Sequence, residues 1–333
     1  NSLMFGLMMV GTVLSSCLSN TGTAACLLPV ALGICAAAKI PASRQLMPLA
    51  FACGWGGIIT MVGTPPNIIA VGAMTSAGLE PFGFFEFAWI GIPVSIAGML
   101  YMMFVGKYLL PKVDLSADQE IEQEIEAAST SSTKQIISGV ILALVIITMA
   151  VGIPGVSLEI AAITGALVCV LTGCLTEKQA YASIDWVTIF LFAGMMPVSN
   201  AMDKTGAGKL IAEWAVSLMG GSPTPIIMTS VLFIISCTLT QFMSNTAAAA
   251  LLAPVGVAIS QQLGASPKAV LMAIGVAASC AFATPVGTPP CTLVLGPGGY
   301  KFMDYVKVGV PLVILCFIVS IIVIPMVWPF FPG

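Results

Sequence analysis

The sequence predicts an all-α polytopic membrane protein made of two inverted repeats, each holding a re-entrant helical hairpin and a broken transmembrane helix. Three observations predict it. Hydrophobic residues make up 58% of the 333 residues and charged residues 8%, whereas a soluble domain carries roughly 25% charged residues. The apolar runs are long and continuous, which suits helices and not the alternating strands of a barrel. Finally, two motifs occur twice, in one order and at one spacing. Ser19-Asn20-Thr21 is matched by Ser244-Asn245-Thr246, each followed ten residues after its serine by a Pro-Val pair, at Pro29 and Pro254. Gly63-Thr64-Pro65-Pro66 is matched by Gly287-Thr288-Pro289-Pro290, 44 and 43 residues after the respective serines.

Composition also excludes functions. The formal charge is −3 with no basic cluster, which argues against nucleic acid as a partner. The chain has no histidine, so it lacks the usual general base, proton shuttle and metal ligand. The ten cysteines have no metal-ligand spacing and read as small buried hydrophobes, not as disulfides or a zinc site. No charged n-region precedes the opening apolar stretch, so no signal peptide is expected.

In chain order, apolar arms flank the first triplet over residues 3–38, each shorter than the ~20 residues a spanning helix needs. Such arms around a polar tip predict a hairpin that enters and leaves on one side. Residues 46–78 carry Gly54, Gly56, Gly57, Gly63 and then Thr-Pro-Pro-Asn, a break tolerated at membrane depth only where protein or a wet cavity covers it. A span at 88–110 closes the first repeat, 1–110. An acidic linker follows over 111–134, with Asp114, Asp118, Glu120, Glu122, Glu124 and Glu126. The second repeat, 135–333, opens with spans over 135–201 and an interfacial helix at 204–218. It continues with a hairpin at 225–262, a broken helix at 268–297 and a last span at 306–328.

Five crossings separate the two hairpins, an odd number, so the hairpins should enter from opposite sides. Lys39, Arg44, Lys107, Lys112, Lys134, Lys178, Lys301 and Lys307 then share one side, against Lys204, Lys209 and Lys268 on the other. The richer side is expected to be cytoplasmic, with the C-terminus extracytoplasmic and the protein in the plasma (inner) membrane.

Inverted repeats with broken helices are the architecture of secondary transporters, whose sites lie between the repeats at mid-membrane. Helix starts at each Ser-Asn-Thr and each Thr-Pro-Pro would offer free N–H groups and a positive dipole end to a carboxylate. Ser, Thr and Asn side chains add neutral donors. Carbonyls freed at the end of the preceding arm would suit a hard monovalent cation. A lone Ser or Thr in a membrane helix is more simply a structural hydrogen bonder, and Ser236 and Thr292 are read that way. The matched duplication sets the triplets apart.

At these residues the sequence resembles the divalent anion/sodium symporter (DASS) family, carriers of di- and tricarboxylates, along essentially its whole length. The resemblance implies one sodium site at Ser15, Ser19, Asn20 and Gly63 and a second at Thr240, Ser244, Asn245 and Gly287. It implies substrate contacts from Ser19, Asn20, Thr21, Thr64, Pro65, Ser244, Asn245, Thr246, Thr288 and Pro289. It further implies a homodimer in a lipid bilayer, sodium as coupling ion with no other cofactor, a small dianionic carboxylate as substrate, and rigid-body alternating access. Family members carry further helices before the first hairpin. Cys291 stands where the first repeat has Asn67, so the second broken segment should pack or bind differently.

The expected function is therefore sodium-coupled symport of di- or tricarboxylates. A sodium-independent exchanger and a carrier of sulfate or another inorganic oxyanion are the alternatives. An intramembrane enzyme lacks parts, since no acidic residue falls in the middle of an expected span and no histidine is present.

Overall fold

A computed structural model describes residues 2–111, 113, 132–151, 156, 158–184 and 223–331, with discontinuous positions between 186 and 217. The expected acidic linker lies largely outside the described residues, as do much of the expected span at 186–201 and of the interfacial helix at 204–218. The chain forms two units, residues 1–118 with 190–333, and residues 119–189. In the smaller unit, α6 (Ser132–Val151) and α7 (Leu158–Leu171) pack together, followed by α8 (Glu177–Ala182) behind a Thr176/Gln179 capping box.

The larger unit holds both repeats. Its first hairpin is α1 (Ser2–Cys17) and α2 (Asn20–Ala38), and its second is α9 (Pro225–Thr240) and α10 (Asn245–Leu263). The broken segments are α3 (Leu46–Gly56) with α4 (Pro65–Ser76), and α11 (Pro267–Ser279) with α12 (Pro289–Leu295). Each is followed by one long helix. That helix is α5 (Ala88–Tyr101) in the first repeat, extended by a π turn at Met102–Gly106 and Lys107–Leu109, and α13 (Phe302–Val327) in the second. Among the described residues there is no strand.

Local chemistry sets the element ends. Ser19 and Ser244 cap α2 and α10 with nearly identical backbone angles, φ −62°, ψ 147° and φ −63°, ψ 149°, the extended conformation an N-cap serine favours. Both α4 and α12 start on Pro-Pro, because proline at the first helical positions gives up an N–H that has no partner anyway. Gly54 does not break α3 but sits inside it as a point of close packing, and the regular helix ends at Gly56, giving way to a 3-10 turn at Gly57–Ile59.

Burial orders the layers. Every residue of α3 and every residue of α11 from Ala269 to Ser279 is buried, as a helix apolar on all sides must be. Around them, α5 exposes Trp89, Ile92, Ile96, Leu100 and Phe104, and α13 exposes Val310, Ile314, Ile318, Ile322 and Met326. Stripes of that extent on a water-facing protein would be a liability; here they face lipid. The helices α5 with its extension and α13 are long and apolar enough to cross a membrane, and so, contrary to the expected short arms, are the 19-residue hairpin arms α2 and α10. This is a multi-pass membrane protein.

Contacts inside this unit establish the inversion without any count of crossings. The Tyr300 hydroxyl, at the start of α13, accepts from the Met47 N–H (2.8 Å) and donates to the Ser43 carbonyl (2.7 Å), at the start of α3. Its burial pushes the pKa up, keeping the proton that this double role needs. Tyr101, at the end of α5, donates to the Val308 carbonyl, early in α13 (2.7 Å). At the opposite end, Glu86 precedes α5 and accepts from Trp328 Nε1 beyond the end of α13 (2.8 Å), while Lys268 at the start of α11 pairs with it at 3.4 Å. The equivalent helices α5 and α13 therefore run antiparallel. Leu3, Lys39, Arg44 and Lys107 share one cavity at the Tyr300 end, so the first hairpin enters and leaves there. The second hairpin ends at Gly264, and Ser266 just beyond it donates its N–H to the Phe330 carbonyl at the Glu86 end (2.6 Å).

The halves lock through aromatic rings. Phe282, in the second break, meets Phe51 and Trp55 of α3 edge-on, with ring centroids 5.3 and 6.2 Å apart. Gly309 of α13 lies directly against the Phe282 carbonyl, where any Cβ would overlap it.

Single cysteines at Pro41 and Gln262, in a background without reactive native thiols, should react with an impermeant maleimide from opposite faces of the membrane. Labelling of both from one face would contradict the inversion.

Candidate functional site

Each hairpin tip ends against the break of its own repeat, and the two junctions match atom for atom. In the first, Ser15 Oγ lies 2.8 Å from Asn20 Oδ1 and donates to the Cys53 carbonyl at 2.7 Å. In the second, Thr240 Oγ1 lies 2.8 Å from Asn245 Oδ1 and donates to the Ala278 carbonyl at 2.7 Å. Cys53 follows Asn20 by 33 residues, and Ala278 follows Asn245 by 33. The inward atom of the Asn20 amide is also 2.9 Å from the Cys53 carbonyl and 3.1 Å from that of Gly63. That of Asn245 is 3.2 Å from the Ala278 carbonyl and 3.0 Å from that of Gly287.

Four oxygen sites thus converge at each tip: a hydroxyl, two carbonyls and the amide. The amide can face this cluster in two ways. With its nitrogen inward its two N–H hydrogens are shared among the three neighbours. With its oxygen inward it meets two carbonyls with no proton between them, an arrangement that a cation would hold together. Both asparagines are buried, 6% and 9% exposed, and the cluster contains no ionised side chain.

The outer flank of each tip offers donors. Ser19 Oγ accepts from Gly22 N–H and Ser244 Oγ from Ala247 N–H, both at 3.1 Å, while the serine carbonyls accept from Thr23 and Ala248. The N–H groups of Asn20 and Thr21, and of Asn245 and Thr246, have no acceptor among the described residues. At the other two helix starts the expectation of free N–H groups fails. Pro65 and Pro66 in α4, and Pro289 and Pro290 in α12, have no N–H to offer, and the next N–H groups, of Asn67 and Cys291, return to the Thr64 and Thr288 carbonyls at 3.1 Å. These segments contribute a dipole end and the buried Thr64 and Thr288 side chains. Thr64 Oγ1 has no hydrogen-bond partner.

The structure therefore brings together Ser15, Asn20 and Gly63, and likewise Thr240, Asn245 and Gly287. Ser19 and Ser244 are exposed helix caps, Thr21 and Pro289 are exposed, and Thr246 is buried. Several contributors were not singled out from sequence. Thr60 donates to the Ser16 carbonyl, and Thr284 to the Gln241 carbonyl at 2.7 Å. Asn67 donates to the freed carbonyls of Gly57, Ile58 and Thr60 at 3.3, 3.3 and 2.8 Å. Gln241 does the same work for the second break, donating to the Cys280 carbonyl and accepting from the Ala283 N–H, both at 3.0 Å. Cys291, which replaces Asn67, instead accepts Tyr305 Oη on its carbonyl at 2.6 Å. Ser236 and Thr292 bond to the Ile274 and Pro285 carbonyls, as structural residues. The cysteines are free thiols, with six buried, three half-buried and Cys26 exposed, so the buried reading holds for only part of them.

Beyond each break, the second half-helix crosses to the other repeat. α4 packs on α10 and α11, and α12 packs on α2 and α3. The junctions, breaks and crossing helices form one interlocked set.

The sequence model of the citrate transporter family, CitMHS, matches residues 1–264 and 149–331. The chain belongs to the citrate transporter family. It is similar to an uncharacterized transporter of Escherichia coli K12, YfbS, with 43% identity over 171 residues, 50% of this chain and 28% of that protein. It is also similar to the sodium-dependent dicarboxylate transporter SdcS of Staphylococcus saprophyticus subsp. saprophyticus, 24% identical over 359 residues, 97% of this chain and 68% of that one. The crystal structure of the Alcanivorax borkumensis YdaH transporter, described as having an unusual topology, shares the fold, with a TM-score of 0.61 at 16% identity. The match covers 98% of this chain and 84% of that one. The relatives are named as transporters, and this citrate transporter family chain is a transporter, not an enzyme.

Gly57 tests the junction. A Cβ there would overlap the Asn20 amide and lie 2.9 Å from the Gly63 carbonyl, whereas one on Gly6 meets nothing within 4 Å. Gly57→Ala should lower unfolding stability in detergent by about 1–3 kcal/mol, the usual cost of overpacking, and Gly6→Ala should not lower it. Equal stability of the two variants would contradict the close approach.

Proposed function

We propose that the protein is a sodium-coupled carrier of small di- or tricarboxylates, working by alternating access. The observation that carries this reading is the duplicated junction, with four oxygens gathered at a helix tip and two free N–H groups on the first residues of the same helix. Hard cations take oxygen ligands, and a neutral cluster of carbonyls, a hydroxyl and an amide suits a monovalent ion. Ser15, Asn20, Cys53 and Gly63 would hold one sodium, and Thr240, Asn245, Ala278 and Gly287 the other. Ser19 and Ser244 shape the tips. Substrate carboxylates would meet the outer N–H groups, with Thr21, Thr246, Thr64, Thr288 and the ring faces of Pro65 and Pro289 around them.

The same geometry gives a reason for coupling. Without sodium, each amide faces inward with its nitrogen, and its donors are spent on carbonyls. Sodium requires the amide oxygen inward, which turns the NH₂ outward to join the free N–H groups. A dianion finds its donors only after sodium has arrived, and by linkage it raises sodium affinity by the same factor. The charge argument agrees, because helix ends supply only about half a charge each and an uncompensated carboxylate at low dielectric is avoided.

The interlocked junctions favour a body that moves whole against the remaining spans. The Tyr300 end, with Lys39, Arg44, Lys107, Lys301 and Lys307, would face the cytoplasm under the positive-inside rule, leaving the C-terminus outside. The relative named as a sodium-dependent dicarboxylate transporter supports the substrate class, and a homodimer is the expected assembly.

Succinate binding to the detergent-solubilised protein, titrated at several sodium concentrations with choline as replacement, should tighten as sodium rises. Asn20→Ala or Asn245→Ala should weaken it by about ten- to a hundredfold, as expected for a lost charge-assisted hydrogen bond. Affinity independent of sodium would instead favour the exchanger.

A further inference from the structure

We propose that the cavity at the base of the first hairpin binds the headgroup of an anionic, hydroxyl-bearing glycerophospholipid of the phosphatidylglycerol type. The cavity, of about 480 Å³, lies between the hairpin base, the start of α3 and the end of α5. Lys39, Arg44 and Lys107 line it together with Gln45, and among the described residues no carboxylate lines it. Among the described residues, none of the three cations is in a salt bridge, and Lys107 only covers the ring of Tyr108. Like charges gathered without a counter-ion repel, so the cavity calls for an anion.

Two further observations point to a ligand. Gln45 is 6% exposed, lines the cavity, and its Oε1 has no hydrogen-bond partner. A buried acceptor needs a donor, which a glycerol hydroxyl supplies and an ionised carboxylate does not. Secondly, Lys39 holds φ 53° as the cap of α2, where the equivalent cap of α10 is Gly264 at φ 61°. Glycine adopts that region freely and lysine does not. The first repeat thus keeps a lysine in a left-handed cap that glycine fills in the second, and it lies in this cavity.

The second repeat offers the contrast, since its basic residue at the corresponding corner, Lys268, is neutralised by Glu86. The surroundings select a lipid over a soluble anion. Ile40, Leu3 and Leu110 are among the apolar residues of the cavity wall, and Phe104 and Tyr108 on the end of α5 are 66% and 77% exposed, an apolar track for acyl chains. Basic pockets between helices at a cytoplasmic membrane surface bind such headgroups by the same physics. The inference does not depend on which substrate is carried.

The test is native mass spectrometry of the delipidated full chain with dioleoyl phosphatidylglycerol, dioleoyl phosphatidylcholine or free glycerol 1-phosphate. The wild type should retain phosphatidylglycerol at least about tenfold better than phosphatidylcholine, with glycerol 1-phosphate failing to displace it. Lys39→Gly, which relaxes the cap and so keeps the fold, combined with Lys107→Gln should abolish the preference. Gln45→Leu should remove discrimination between phosphatidylglycerol and a methyl-capped phosphatidyl headgroup. Equal retention of both lipids, displacement by glycerol 1-phosphate, or an undiminished preference in the double variant would each overturn the assignment. So would a preference that emerges only after the acidic residues of 114–126 are neutralised, which would give the cations to that stretch.

Discussion

Backbone carbonyls without helical partners, held inside a membrane, are the constraint on which this structure depends. Each break frees several of them, and lipid can satisfy none. The chain answers by driving a hairpin tip into each break, where Ser15 serves one set and Thr240 and Gln241 the other; Asn67 serves the first break from α4, and Thr60 and Thr284 tie each break back to the hairpin carbonyls of Ser16 and Gln241. Hairpin, break and burial are therefore one arrangement. The burial of α3 and of α11 from Ala269 onward, and the aromatic packing of Phe282 on α3, follow from the need to cover those groups with protein.

The same carbonyls are what make chemistry available. Satisfied by an asparagine nitrogen they are inert, and in the proposed reading the asparagine oxygen would make them ligands for a cation. On the proposed reading a structural necessity and a binding function would use the same atoms, and no charged side chain would be required at mid-depth.

Much of this was legible in the sequence because the duplication marks itself. The Ser-Asn-Thr and Gly-Thr-Pro-Pro pairs placed both tips and both breaks, and parity anticipated the inversion that Tyr300 and Glu86 display. Partners acting through backbone carbonyls, such as Cys53 and Ala278, left no trace, because any side chain can accompany a carbonyl. Glycine content misled only at Gly54, which admits Phe282 without ending α3; Gly56, the last residue of the helix, admits the first hairpin arm. Thr60 and Thr284 could have been found, since each stands three residues before its Gly-Thr-Pro-Pro. Gln241 could not, because its counterpart by position is Ser16 and its counterpart by role is Asn67.

That exchange of roles makes the two halves mechanically unequal. In the first repeat the amide that quiets the break belongs to α4, the half-helix beyond the break, and stays with it whatever the hairpin does. In the second it belongs to the hairpin arm, so drawing α9 away would strip the Cys280 carbonyl and the Ala283 N–H of their partners at once. The second tip is fastened and the first is merely seated. Fluctuations that loosen a tip from its break should therefore be commoner at the junction nearest Asn20, giving a nominally two-fold molecule a preferred side on which to breathe.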